Sequence, residues 1–192
     1  YVSVLRRLGL KVKELFRSRF LLVLVCSAAL APSLAAQKDE RQPLTQAQVD
    51  QIREEGIYPD ERIRLYTKFI GEHVDTIKSL SSRGHSSARA HRLDDVLQDL
   101  TALMDELGSN LDQYGDRKAD LRKSLKTLNE VAPRWLEALN GIASERTFEL
   151  SRKEAIDSGK DLSDQVSQLF KEQTDYFDIH KDQRGQDRAE PQ

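Results

Sequence analysis

Apolar residues recur at steps of three and four from about residue 60 to residue 177, and that period predicts helices throughout. The strongest run is Leu93, Leu97, Leu100, Met104, Leu107, Leu111 and Tyr114, a strict four-three alternation. So narrow a stripe is a coiled-coil seam, widened on one side by Val96 and Leu103 so that it can touch a third helix. Gly108 interrupts it at ~1 kcal/mol relative to Ala, and Gly115 is its expected stop. A second such run follows Asp116, the expected N-cap: Leu121, Leu125, Leu128, Ala132, Trp135, Leu139 and Ile142. Its phase passes through Pro133 unchanged, which predicts a kink rather than a break. Gly141 loosens the same region, and the helix is expected to run past Phe148 to about Ile156, ending at the turn signal Asp157-Ser158-Gly159.

Two further stripes complete the pattern. Ile63, Tyr66, Ile70, Val74 and Ile77 follow Pro59-Asp60-Glu61, whose proline and acids suit a first helical turn. Leu162, Val166, Leu169, Phe170, Gln173, Tyr176 and Phe177 form the last one. A short helix opens at Thr45, which makes a capping box with Gln48, and closes at Gly56 as a left-handed C′ residue. No strand alternation and no repeat beyond the heptad is visible. Short links between helices force antiparallel neighbours. The expected fold is therefore all-α: an antiparallel up-down helical bundle of about four long helices plus a short N-terminal helix. The bundle is expected over residues 44–181, after a linker at 36–43 and before a disordered tail at 182–192. At ~1.5 Å per residue the third helix is ~42 Å long and the fourth ~60 Å, so the fourth overhangs and the last folds back over it.

The N-terminus has a different character. Arg17 and Arg19 precede an apolar run from Phe20 to Ala31, and Ser33-Leu34-Ala35 fits a small-x-small cleavage rule. The run is short for a membrane span, which needs about 20 apolar residues. Residues 1–35 are expected to be a signal peptide, cleaved near Ala35, which makes the protein periplasmic or secreted. A membrane contact is expected only through this segment if it stays uncleaved. Cys26 would leave with it, so the mature domain would hold no disulfide and no thiolate.

Charge then narrows the function. Residues 1–35 hold six bases and one acid, which leaves 24 bases and 31 acids in the rest, a net charge of −7. A mildly acidic domain is a poor phosphate binder, so nucleic acid is not an expected partner. The histidines His73, His85, His91 and His180 show neither i,i+3 nor i,i+4 spacing, the pattern of helical metal sites. Met104 is in phase with the leucine seam; a haem ligand pair with His180 is conceivable, but core packing explains it better. No phosphate loop and no nucleophile elbow is present. No enzyme, no cofactor and no metal is therefore expected. Two places stand out as candidate interaction sites: the basic cluster Arg83, His85, Arg89, His91 and Arg92 between the second and third helices, and Trp135 beside Pro133.

Leu44-Thr45-Gln46-Ala47-Gln48 matches the L-T-x-x-Q pattern of small periplasmic helical stress proteins of the Spy/CpxP type. The resemblance spans five of 192 residues and implies an exported, all-helical chaperone or envelope-stress protein. The residues themselves point first to a non-enzymatic structural or protein-interaction module of the cell envelope, with a protein partner or self-association. The chaperone reading is the alternative, and a metal- or haem-binding bundle the second.

Overall fold

A computed structural model describes residues 42–186. The expected signal peptide, most of the linker and the last six residues lie outside the described residues. The described chain forms five helices: α1 (Gln46–Glu55), α2 (Pro59–Ser81), α3 (Ser87–Asp116), α4 (Arg122–Asn140) and α5 (Glu149–Ile179), with a 3-10 turn at Lys181–Gln183. No strand occurs among the described residues. The all-α bundle expected from the periodicity, four long helices and a shorter first one, is the fold.

The expected seams form the core. Leu93, Leu97, Leu100, Leu107 and Leu111 are fully buried, as are Leu125, Leu128 and Leu139 opposite them. Helix α4 runs unbroken through Pro133. Helix α1 opens with the expected capping box: the Gln48 amide donates to the Thr45 hydroxyl at 3.3 Å, and the Gln48 side-chain oxygen accepts from the Thr45 amide at 2.9 Å. Gly56 follows α1, but with φ −85° rather than in the left-handed region. Glycine is needed there for space, because a Cβ would stand 2.5 Å from the Ile52 carbonyl oxygen.

Two boundaries differ from the sequence reading. The fourth helix stops at Asn140 instead of continuing to Ile156. Gly141 caps it, and the connection at 141–148 buries both Ile142 and Phe148, so the apolar phase survives a turn that the helix does not. Conversely, Asp157-Ser158-Gly159 is no turn but lies inside α5. Gly159 is buried there, and a Cβ would come 3.0 Å from Leu136 of α4. The residues that resemble a turn signal provide close helix packing instead. In consequence α4, with 19 residues, spans only ~28 Å, and it is α3 and α5, with 30 and 31 residues, that reach ~45 Å.

The order of helices around the bundle is α2–α3–α5–α4. Helices α2 and α3 are antiparallel, as Tyr66 meets Glu106 while the turn at 82–86 joins their other ends. Helices α4 and α5 are antiparallel too, since Gln173 reaches Leu121 and Ser167 reaches Asn129. The two hairpins lie side by side with α3 parallel to α5: Asp94 meets Ser151, Asp105 meets Ser158 and Asp112 meets Gln165. Helices α3 and α4, consecutive in the chain, are therefore diagonal rather than adjacent. With axes 8–10 Å apart the diagonal is ~13 Å, within reach of the five-residue link 117–121 at ~3.5 Å per residue.

That crossover is held at several points. Asp116 ends α3 rather than capping α4, and Lys118 takes the left-handed conformation at φ 58° that reverses the chain. Buried Gln173 of α5 accepts from the Leu121 amide and donates to the Ala119 carbonyl, both at 2.8 Å. Asp120 accepts two hydrogen bonds from the Arg122 guanidinium, at 2.8 and 2.7 Å, and one from the Gly185 amide at 2.8 Å. The Asp120 amide donates in turn to the Gln186 carbonyl. Residues 182–186, expected as the start of a disordered tail, are thus docked on the crossover. The hydrogen bonds from Arg122, and then the one from Gly185, hold the Asp120 carboxyl below its ordinary range despite its burial.

These contacts carry two predictions. Gly71 lies mid-helix with open space around its missing Cβ, so Gly71→Ala is expected to stabilise the fold by ~1 kcal/mol, whereas Gly56→Ala destabilises it; urea titrations of both variants check the opposite signs. For Asp120, a lowered folded-state pKa means stabilisation that is complete above the unfolded value and is lost as pH falls through the folded one. The difference in melting temperature between the wild type and Asp120→Asn is expected to hold from pH 7 to about 5 and to shrink only below the ordinary aspartate pKa of ~4.

Candidate functional site

The basic cluster expected between the second and third helices is divided by its surroundings. Ser86 caps α3, its hydroxyl accepting from the Arg89 amide at 3.2 Å. This places Arg89 in the first turn, facing inward, where its side chain is 6% exposed. A cation at a helix N-terminus opposes the helix dipole, and a buried one requires a counter-charge. Glu145, from the α4–α5 connection, supplies it through an ion pair with the Arg89 guanidinium. His85 approaches the same carboxylate at 3.0 Å from the solvent side. The Arg89 Nε is buried without a hydrogen-bond partner, so the pair is anchored through Nη2 alone. Arg89 therefore ties two loops at one end of the bundle and is no part of a basic surface.

Arg83, His91 and Arg92 are exposed. Arg92 lines an open groove of about 560 Å³ with Leu44, Gln48, Glu72, His73 and Asp99, where two carboxylates offset its charge. Trp135 is buried in the core at 7% exposure, so this candidate interaction residue beside Pro133 is a packing residue, as its place in the apolar seam implies. Of the six expected interaction residues, then, Arg89 and Trp135 are structural, and the structure does not bring the other four into one site.

The histidines are spread likewise. His73 Nδ1 donates to the Phe69 carbonyl and His180 Nδ1 to the Tyr176 carbonyl, both at 2.9 Å, while His180 also stacks on Tyr176. Among the described residues no three His, Cys, Asp or Glu side chains are grouped so as to hold a metal ion. Met104 is buried near Gly159, whereas His180 lies 21 residues farther along the same helix direction, ~30 Å away. One haem iron cannot bind both.

Perturbed groups serve the fold. Burial pushes the Tyr66 phenol above its usual range, and its hydrogen bond to Glu106 adds to the shift. Arg152 and the Ser144 hydroxyl pull Glu149 down to about 2, fixing the carboxylate in the first turn of α5.

What the sequence reading missed is the seam between α3 and α5. Asp105, Asp112 and Asp116 of α3 face Asp161 and Glu172 of α5 along two adjoining grooves of about 450 and 170 Å³ that share Asp112. Gly108 and Gly115, seven residues apart, face α5 at these levels. The heptad spacing of the two glycines was the available signal, but it read as an interruption and a stop. Charge follows the same division. Helix α3 has seven acids against two bases and α5 eight against four, a net −9, while α2 is neutral and α4 carries +2.

Removing Glu145 leaves a buried guanidinium without a counter-charge. Glu145→Ala is expected to cost ~2–4 kcal/mol, and Arg89→Met distinctly less, because it removes the charge as well; chemical denaturation of the two variants compares them.

No family model, no curated protein and no solved structure matches this chain.

Proposed function

We propose that this chain is a non-enzymatic protein-interaction module of the cell envelope, exported by its N-terminal segment. The observation that supports the reading is the segregation of charge on a closed bundle. The apolar seams are used internally, and among the described residues the large hydrophobic side chains left exposed are few: Ile57, Tyr58, Leu150 and Ile179. Leu150 lies at the opposite end of the bundle from the other three. A chaperone that holds unfolded clients needs a contiguous apolar surface, and these residues form a poor one. The L-T-x-x-Q segment is accounted for by the capping box and by Leu44 against the core. A bundle face with a net charge of −9 beside one of +2 is instead suited to steering and orienting a folded, charge-complementary partner.

Mild crosslinking of the tagged full chain in its own cell envelope, followed by mass spectrometry, tests the reading. One dominant, saturable partner is expected. A broad set of unrelated unfolded proteins would favour the chaperone alternative, and recovery of the uncrosslinked chain alone would end the interaction reading.

A further inference from the structure

We propose that the groove between α3 and α5 is the docking site for a lysine- or arginine-bearing segment of a partner protein. The inference rests on the reading of the chain as an interaction module and specifies the partner's chemistry. Its first ground is shape. Glycine at 108 and at 115 lets Gln165 and Leu169 of α5 pack against the α3 backbone, and two adjoining hollows run along that contact from Met104 to Tyr176. Along α3, Asp105 to Asp116 is a rise of ~17 Å, the length of about five residues of extended chain.

The second ground is charge. Asp105, Asp112, Asp116, Asp161 and Glu172 border the groove, and none of them is in an ion pair among the described residues. Elsewhere on α5 acids do find cations, as with Asp157 and Lys160 or Asp175 and Lys171. Because α3 and α5 are parallel, their negative C-terminal ends point the same way, which adds to the field at the Asp116 end. An antiparallel pair would cancel there.

The third ground is a cation already present at that end. The Lys118 ammonium lies 5.7 Å from the centroid of the Tyr176 ring, which borders the groove with Asp116 and Glu172. The combination of an aromatic face and carboxylates is one that receives an ammonium or guanidinium. Gln165 ties the helices between the two hollows, donating to the Gly108 carbonyl at 2.9 Å and to Asp112 at 2.6 Å, so the separation of the walls is held without a partner.

Fluorescence anisotropy of a labelled Lys-Ala-Lys-Ala-Lys peptide with the full chain at 150 mM salt tests the site. Saturable binding is expected, weakened about tenfold or more by Asp112→Asn combined with Asp161→Asn. The same charge change placed elsewhere, Glu54→Gln with Asp75→Asn, is expected to weaken it less than about twofold, since exposed charges beyond a Debye length are screened. Circular dichroism melts establish that both double variants fold. Equal losses in the two pairs, or no saturable binding, would overturn the groove. A natural partner whose crosslinks fall on α2 and α4 would also overturn it while leaving the interaction module in place.

Discussion

The arrangement depends on the parallel contact between α3 and α5, two helices that no short link can bring together. A hairpin aligns its own helices through its turn, as in α2–α3 and α4–α5. Parallel neighbours from different hairpins have no such guide, and their register must come from side chains. Here it comes from polar links spaced a heptad apart along α5: Ser151, Ser158 and Gln165 meet Asp94, Asp105 and Asp112 of α3. Each link is modest in net energy, on the order of 1 kcal/mol, but a slip of one turn would leave buried Ser151 and its partly buried partner Asp94 unpaired. The cost of that loss selects the register.

Once α3 and α5 are side by side, the remaining features follow. The link 117–121 has to cross the bundle, so it needs a reversal at Lys118 and anchors at Ala119 and Leu121, which Gln173 supplies. The docked residues 182–186 cover the same crossing through Asp120 and Arg122. At the other end Arg89 and Glu145 join the two hairpin turns across the bundle. The bundle is thus tied at both ends by charged groups and along its length by leucine. The pairing also collects the acidic residues of both long helices on one side, and this asymmetry underlies the functional proposals.

Much of this fold was legible in the chain. The apolar stripes identified each of the four long helices and most of the buried residues, though not Leu65, Phe69, Ala90, Ala119 or Ala155, because apolar periodicity reports burial directly. The capping box of Thr45 and Gln48 was legible for the same local reason. The site was much less so. Arg89 reads as one member of a basic cluster, and only the position of Glu145, 56 residues later, makes it structural. The boundaries at 141–148 and 157–159 were misplaced because a heptad can continue across a turn, and because a Ser-Gly pair suits a tight helix contact as well as a loop.

The sequence by itself determined that the chain is helical, which face of each helix is buried, and how unevenly charge is distributed among the helices. These are properties of single segments, set by side-chain chemistry and a period of 3.6 residues. Only the tertiary structure decided which helices are neighbours. A five-residue link is compatible with both an adjacent and a diagonal partner, and the choice between them rests on contacts between residues more than 50 positions apart. That choice sets two unremarkable glycines against α5 and brings five scattered acids to two adjoining grooves.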